Sequence, residues 1–287
     1  MTESSAHHPR SQAGPNGSEG GDWTGRPLAA VVLAAGKGTR MRSDLPKVLH
    51  EIAAEPMVRW VVRAVRELGA RPIALVVGHG AELVRKALAG PGGAAPEDLA
   101  FAVQEPQLGT AHAVAQARPM LESLGDGDVF VLCGDGPLIR VETLRRLLEV
   151  HRKSGAAATL ATAVIADPAG YGRVLRDADG RFRCIREQKD ASPEELAVHE
   201  VNPSYYCFRV ADLLAALERV DNRNAKGEYY ITDVFEILLR DGRRVEVVDA
   251  VPPEDVLSIN TPEQLAEVDA VMSRRLGRGP APLVTGR

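Results

Sequence analysis

Short apolar runs alternate with helical patterns from residue 28 to about residue 151, and this alternation limits the possible folds more than any other feature. The apolar runs predict strands at Ala29–Leu33, Ile73–Val77, Phe101–Gln104 and Val129–Leu132. The other segments predict helices at Met57–Leu68, Ala81–Leu88, Thr110–Leu121 and Val141–His151. Strands that alternate with helices form βαβ units around a mostly parallel sheet. Because the runs are apolar throughout, both faces of these strands are expected to be covered.

The pattern changes after about residue 156. Strands with turn residues between them are predicted at Ala157–Ile165, Arg173–Leu175, Arg181–Glu187 and Glu200–Phe208. Helices follow at Ala211–Val220, Thr232–Arg240 and Pro262–Leu276, with a strand at Arg244–Asp249 among them. The second half therefore predicts an antiparallel or mixed sheet joined to the first half.

One folded region is predicted from residue 27 to residue 276. Its first half covers about residues 27–155, its second half about residues 156–250, and a closing strand and helix extend it to residue 276. Residues 1–26 almost lack aliphatic side chains, so they cannot bury enough surface to offset the entropy of ordering. They are predicted to form a disordered tail, and residues 277–287 a loose one.

Charge, hydropathy and cysteine content exclude several kinds of partner. The net charge of −4 lacks the basic excess that general nucleic-acid binding requires. No apolar run reaches the ~18 residues of a membrane span, and the first 27 residues contain no signal core. The three cysteines, Cys133, Cys184 and Cys207, match no zinc spacing. We therefore expect a cytoplasmic protein with reduced thiols that binds neither nucleic acid nor membrane.

A glycine-rich loop directly follows the first predicted strand, where open α/β sheets bind their ligands. Gly36 and Gly38 let the backbone approach a phosphate and direct N–H groups at it. Lys37, Arg40 and Lys47 add three positive charges within eleven residues. This combination favours a triphosphate ligand.

Two familiar phosphate-binding motifs do not fit this loop. A dinucleotide fingerprint requires a third glycine where Met41 stands, and the Walker sequence is absent. A Rossmann-type oxidoreductase is therefore disfavoured, and failure to bind a nicotinamide cofactor would exclude it.

The segment from Leu33 to His50 resembles the signature of the bacterial N-acetylglucosamine-1-phosphate uridyltransferases, members of the sugar-nucleotide pyrophosphorylase superfamily. Further segments resemble that family in the same order, namely Gln104–Ala113, Leu132–Ile139, Gly170–Val174, Glu187–Ala191, Glu200–Asn202, Asn222–Asp233 and Ser258–Thr261. The resemblance covers roughly residues 28–275. It implies a Rossmann-like three-layer nucleotidyltransferase fold, with a mostly parallel mixed sheet and a smaller β-rich sugar-binding part.

The resemblance also implies a reaction in which a sugar-phosphate oxygen attacks the α-phosphorus of UTP and pyrophosphate leaves. Arg40 and Lys47 are the implied catalytic residues, because they fall where the family neutralises the phosphates. Mg²⁺ is the implied cofactor, and it needs only one or two protein oxygen ligands. Asp135, at the end of a predicted strand, and Asn260, some 125 residues later, are the implied ligands.

The remaining site residues are assigned by the same resemblance. The nucleotide is expected to contact Ala35, Gly36, Lys37, Gly38, Gln104, Gln107 and Gly109. The sugar is expected to contact Thr110, Gly172, Glu187 and Asn202. Gln104 is the residue expected to read uracil, since an amide offers both a donor and an acceptor.

Three departures from the family pattern keep alternatives open. Gly136 replaces a branched apolar residue, Cys133 replaces an aromatic residue near the sugar, and two tyrosines follow Pro203-Ser204 beside the expected sugar subsite. Another sugar phosphate, another nucleotide, or a non-catalytic nucleotide-sugar binding protein therefore remain alternatives. The sequence contains no hexapeptide period, so we expect no acetyltransferase domain and no trimer built on a β-helix. A monomer or weak oligomer is expected.

Overall fold

A ten-stranded sheet runs through the computed structural model, which describes residues 25–278 of the chain. Its strands are β1 (Leu28–Ala34), β4 (Ile73–Val77), β5 (Leu99–Val103), β6 (Asp128–Cys133), β7 (Ala158–Val164), β8 (Gly172–Arg176), β9 (Phe182–Arg186), β10 (Glu200–Asn202), β11 (Tyr205–Arg209) and β12 (Val245–Asp249). A separate hairpin is formed by β2 (Glu51–Ile52) and β3 (Glu55–Pro56).

The strands follow the order β5-β4-β1-β6-β11-β7-β10-β8-β9, and β12 pairs with β7 outside this path. The pairs among β5, β4, β1 and β6 are parallel. The pairs that connect β6, β11, β7, β10, β8 and β9 are antiparallel, and only β12 on β7 is parallel in the second half. The carboxyl ends of β1 and β6 therefore lie side by side.

Helices cover both faces of the sheet. They are α1 (Met57–Glu67), α2 (Ala81–Leu88), α3 (Thr110–Ala115), α4 (Arg118–Ser123), α5 (Val141–Ser154), α6 (Pro193–Leu196), α7 (Val210–Leu217), α8 (Asp233–Arg240) and α9 (Pro262–Arg275). Along β1, Ala30 and Val32 enter the core beneath α1, α5 and α9, whereas Ala29 and Val31 enter the core beneath α3, α7 and α8. Both faces of β1 are thus buried, and the predicted three-layer α/β fold is confirmed.

Two predicted elements are divided in the structure. The helix predicted over Thr110–Leu121 is two helices, α3 and α4, because Pro119 lacks an N–H group and stands in the first turn of α4. The strand predicted over Glu200–Phe208 is divided into β10 and β11 at Pro203-Ser204, where Ser204 has φ 65°. The chain there shifts from pairing with β8 to pairing with β6.

The predicted terminal segments fall mostly outside the described residues. Within them, Arg26 donates to the buried carboxylate of Asp128 at 3.4 Å, so the folded region begins slightly before residue 27. At the other end, Arg278 donates to the carbonyl oxygen of Ala53 at 2.9 Å. None of the helices in residues 25–278 has both the length and the apolar character to cross a bilayer.

Candidate active site

The glycine loop leaves the carboxyl end of β1 and brings Lys47 back beside it. Gly38 has φ +62°, and a Cβ atom built there would lie 2.7 Å from the Cβ of Lys47. Only glycine therefore allows this approach. Gly36 has no neighbouring heavy atom within 4 Å of such a position, so its backbone faces open space. The two glycines therefore have different roles. Gly38 allows the close approach of Lys47, and Gly36 leaves space beside the loop.

Four predicted residues from three distant segments meet at one point. The ammonium of Lys47 donates to a carboxylate oxygen of Asp135 and, at 2.9 Å, to Oδ1 of Asn260. Arg40 Nη2 donates to the same Oδ1 at 2.8 Å. The cluster joins the glycine loop to the segment after β6 and to the segment before α9, which lies 220 positions from Arg40. It thus places two cations and two oxygen ligands at the carboxyl edge of the sheet.

The amide of Asn260 is held with its oxygen toward the cations. Its backbone N–H donates to Gln264 Oε1 at 2.8 Å, and its side-chain Nδ2 faces Ser258 Oγ at 3.4 Å. Thr261 caps α9 by accepting the backbone N–H of Gln264 at 3.3 Å. The start of α9 therefore fixes where the Asn260 side chain points.

Asp135 and Asn260 fit a divalent cation by their chemistry and their convergence. Both oxygens accept from the same ammonium, so they reach one common point that already takes a positive charge. Magnesium prefers oxygen ligands and keeps most of its waters, so two protein ligands are adequate. Within residues 25–278, no group of three or more His, Cys, Asp or Glu side chains could hold a metal ion. A metal ion in this part of the chain would therefore have few protein ligands.

A cavity of about 340 Å³ extends from this cluster toward the predicted base-binding residues. Its lining includes Ala35, Gly36, Lys47, Gln104, Gln107, Gly109, Thr110, Cys133, Asp135 and Glu228. A neighbouring cleft of about 590 Å³ shares Gln104 and Gln107 and is also lined by Lys37. Six of the seven predicted nucleotide residues thus line one or both of these cavities, and Gly38 lines neither.

Gln104 is 5% exposed, and its amide nitrogen lies between two neighbouring groups. Nε2 donates to the carbonyl oxygen of Gly109 at 2.8 Å and faces Nδ1 of His112 at 3.2 Å. The amide oxygen consequently remains as the group available to a ligand. Gln107 instead donates to the carbonyl oxygen of Ala35 and ties its own loop to the glycine loop.

Backbone pairing across the cavity joins the two halves of the chain. Tyr229 N–H donates to Leu108 O at 2.8 Å, and Ala111 N–H donates to Tyr229 O at 2.8 Å. The hydroxyl of Thr110 accepts the N–H of Ile231 at 2.9 Å. Gly109 lies at this seam with φ +118°, too close to Tyr229 for any side chain. Thr110, predicted to contact the sugar, thus also holds the seam together.

Gly172, Glu187 and Asn202 lie next to one another but do not line the cavity. Gly172 opposes Asn202 across the β8–β10 pair, and a Cβ on Gly172 would lie 3.6 Å from Glu187 Oε1. Burial raises the pKa of Glu187, and the hydroxyl of Thr232, which donates to Oε1 at 3.2 Å, opposes this shift. Burial also raises the pKa of the Cys133 thiol to about 12, and the charges of Asp135 and Glu187 add to the shift.

The two tyrosines that follow Ser204 support the site from behind. Tyr206 is 1% exposed, and its hydroxyl accepts from Asn202 Nδ2 at 2.7 Å. Tyr205 is 2% exposed, and its hydroxyl donates to the carbonyl oxygen of Asp255 at 3.1 Å. Both tyrosines, which the sequence places beside the expected sugar subsite, are therefore buried.

Sequence reasoning missed the groups that hold the predicted residues in place. Tyr206 and Thr232 bond Asn202 and Glu187, Gln264 fixes Asn260, and the main chain of Tyr229 closes the seam. Thr261-Pro262 ahead of a helical pattern was a readable capping signal for the segment around Asn260. A main-chain contact such as that of Tyr229 leaves no signal beyond the glycine opposite it.

The parallel half of the mixed sheet carries a glycine loop, two cations and a carboxylate at its carboxyl edge. This combination is typical of α/β domains that bind the phosphates of nucleotides. A model of the MobA-like NTP transferase domain matches residues 30–231, and the chain belongs to that family. The prediction of a nucleotidyltransferase domain is confirmed by this match.

Similar proteins agree with this placement. Proteins named bifunctional protein GlmU are 47% identical in Geobacter metallireducens, over 88% of this chain and 52% of theirs, and 49% identical in Pelotomaculum thermopropionicum, over 87% and 53%. The chain thus spans about half the length of these relatives. The solved structure of a UDP-glucose pyrophosphorylase complexed with UDP-glucose superimposes with a TM-score of 0.70 at 15% identity, covering 87% of this chain and 99% of that one. That likeness shows a shared fold.

Proposed function

We propose that the domain transfers a uridylyl group from UTP to N-acetylglucosamine-1-phosphate and releases pyrophosphate, assisted by Mg²⁺. The observation that carries the proposal is the convergence of Arg40, Lys47, Asp135 and Asn260 beside an open glycine loop. Motif resemblance over most of the chain and relatives named GlmU support the choice of substrates.

The chemistry needs charge neutralisation and alignment rather than a protein nucleophile. Two polyanions must approach, and such transfers are helped mainly by positioning and electrostatics. Arg40 and Lys47 would neutralise the phosphates, which is supported by their convergence on Asn260 and by the open space beside Gly36. Asp135 and Asn260 would hold Mg²⁺, which when bound supplies positive charge to the phosphate oxygens and helps to orient them.

The free amide oxygen of Gln104 supports a base with a ring N–H. Uracil presents such a donor at N3, whereas cytosine and adenine present a ring nitrogen acceptor at the corresponding edge. Because Gln104 Nε2 donates to the carbonyl oxygen of Gly109, the amide oxygen is the group left to accept from a ring N–H.

Glu187 and Asn202 support a sugar rich in hydrogen-bonding groups. Asn202 keeps one N–H and one lone pair after its bonds to Tyr206 and Ser204, and Glu187 keeps its second carboxylate oxygen. These groups suit the hydroxyls and acetamide of the proposed sugar.

The expected location of the protein is the reducing cytoplasm, and its three cysteines are unpaired in the structure.

Pyrophosphate release across a panel of nucleotides and sugar-1-phosphates tests the proposal. We expect UTP with N-acetylglucosamine-1-phosphate to be favoured over glucose-1-phosphate by at least about tenfold in kcat/KM, because unpaired polar groups in a buried site cost about 1–3 kcal/mol each. A preference for another sugar would leave the class of reaction intact and replace the named substrate. Absence of turnover with every pair would instead favour a non-catalytic binding protein.

A further inference from the structure

Lys47 occupies the point at which the two proposed cation ligands converge. Its ammonium contacts both Asp135 and Asn260, and the Lys47 side chain is only 12% exposed. Asn260 Oδ1 also accepts from Arg40, so both of its lone pairs already face positively charged donors. One oxygen of Asp135 and the amide oxygen of Asn260, which a divalent cation would need, are therefore already engaged by the protein's own cations.

We propose that Lys47 acts as the resident counter-cation of the resting site and is displaced when a divalent cation binds. The proposal rests on the proposed function, because it concerns the cation that this function requires. Once displaced, the Lys47 ammonium is free to pair with phosphate oxygens. A single residue thereby links occupation of the cation site to presentation of positive charge to the substrates.

Position and charge both favour exchange over a permanent structural ion pair. Gly38 holds the Lys47 backbone close to the loop, but the rest of the side chain is a flexible stem ending in a compact charge. A divalent ion and an ammonium cannot share the same two oxygens, since their repulsion at such short range is strong. The resting cluster already balances the charge of Asp135, so a lone divalent ion gains little by entering.

The exchange has a consequence for the order of binding. A divalent cation that arrives together with the triphosphate supplies the anionic partner that Lys47 needs after it leaves Asp135. A cation that arrives alone supplies no such partner. The free protein should therefore bind the cation weakly, and a variant without the ammonium should bind it more tightly.

Titration of the free protein with Mn²⁺, with unbound Mn²⁺ measured by electron paramagnetic resonance, tests this directly. No nucleotide or sugar phosphate is present, so an incorrect assignment of the substrates does not affect the result. Lys47→Met removes the charge and keeps the aliphatic stem that packs on Gly38. We expect it to bind Mn²⁺ at least about tenfold more tightly than the unmodified protein, because a like charge at contact has been removed.

Three further variants separate this effect from general changes in charge. Lys37→Met removes the same charge from an exposed position in the same loop and should change Mn²⁺ affinity by less than about twofold. Lys47→Arg keeps the competing charge and should bind as weakly as the unmodified protein. The double variant Lys47→Met with Asp135→Asn should lose the gain, because the anionic ligand becomes a neutral amide.

Equal or weaker Mn²⁺ binding by Lys47→Met would overturn the proposal, and so would undetectable binding in every variant. A gain of the same size in Lys37→Met would assign the effect to overall charge and would also overturn it. Thermal melting of each variant shows whether the fold is retained. Lys47→Arg provides a second comparison if Lys47→Met is destabilised: a gain in affinity there, with the charge retained, contradicts displacement.

Discussion

Gly109 offers the most direct test of the seam that joins the two halves of the site. The residue has φ +118°, and a Cβ atom there would lie 2.5 Å from Tyr229 O and 2.6 Å from Tyr229 N. These are backbone atoms, so no side-chain rotation relieves the contact. Gly109→Ala must therefore push the chain near Leu108 away from Tyr229.

The loss of stability can be worked out from the hydrogen bonds that this displacement breaks. Two backbone hydrogen bonds of 2.8 Å connect Tyr229 with Leu108 and Ala111, and each contributes about 1 kcal/mol net. A non-glycine residue in this backbone region adds strain of about 1–3 kcal/mol. We expect Gly109→Ala to reduce the free energy of unfolding by about 3–5 kcal/mol. It should also raise KM for UTP, because Gln104 donates to the carbonyl oxygen of Gly109.

Gly180→Ala is the matched control. Gly180 also has a positive φ, +77°, but no heavy atom lies within 4 Å of its Cβ position. Its substitution should cost only about 1–2 kcal/mol of left-handed strain and leave KM unchanged. Urea unfolding and steady-state kinetics of both variants give the comparison. A loss of stability in Gly109→Ala no larger than that in Gly180→Ala would refute the reasoning.

Two more predictions concern the carboxylates. Asp135→Asn should lower turnover by at least about a hundredfold and retain the melting temperature, because charge stabilisation at the phosphates is lost. Chelation of the metal with EDTA should lower turnover in the same way. Near-normal pyrophosphate release by the variant would contradict the assignment of Asp135. Burial, assisted by Glu236, raises the pKa of Asp233 to about 6, so the stability that its protonated form provides is lost as pH rises from about 4 to 6. Asp233→Asn should therefore be more stable than the unmodified protein by about 1 kcal/mol at pH 8, after allowance for solvent screening, and equal to it below about pH 4. Urea midpoints across this pH range measure the difference, and a constant offset would contradict it.

The layered fold could be predicted because its strands are apolar on both faces. β1 enters one core with Ala30 and Val32 and the other with Ala29 and Val31, and such a strand reads as one continuous apolar run. The divisions at Pro119 and Ser204 were missed because the apolar spacing continues across them. The arrangement of β11 between β6 and β7 is set by long-range pairing, which periodicity does not contain.

The residues that converge beside the glycine loop could be predicted from the sequence, but the groups that support them could not. Arg40, Lys47, Asp135 and Asn260 carry side-chain chemistry in recognisable motifs, and the structure brings them together. Gln264 orients Asn260, while Thr232 and Tyr206 hold Glu187 and Asn202. These three supports resemble ordinary helix, turn and core residues in the sequence. The partners of Gln264, Thr232 and Tyr206 are brought to them only when the chain folds, so the sequence does not reveal these hydrogen bonds.

The placement of Tyr205 and Tyr206 bears on the sugar proposed as substrate. Adjacent residues of β11 face opposite sides of the sheet, so Tyr206 packs toward Asn202 while Tyr205 packs in the other core, toward Asp255. Only one of the two buried hydroxyls can therefore influence a sugar held by Asn202. Both rings are buried, one in each core, so neither adds an exposed aromatic surface beside Asn202.

Tyr206→Phe should weaken sugar discrimination without removing any predicted site residue. Loss of the hydroxyl frees Asn202 Nδ2 from a 2.7 Å hydrogen bond in a buried setting, and the amide loses its fixed orientation. The ratio of kcat/KM for N-acetylglucosamine-1-phosphate over glucose-1-phosphate should fall by about threefold to tenfold, which corresponds to the loss of about one hydrogen bond. KM for UTP should not change. Tyr205→Phe removes a comparable buried hydrogen bond on the other face, so it should lower stability by a similar amount and leave the ratio intact. If both variants shift the ratio equally, the change reflects general destabilisation, and the role assigned to Tyr206 is wrong.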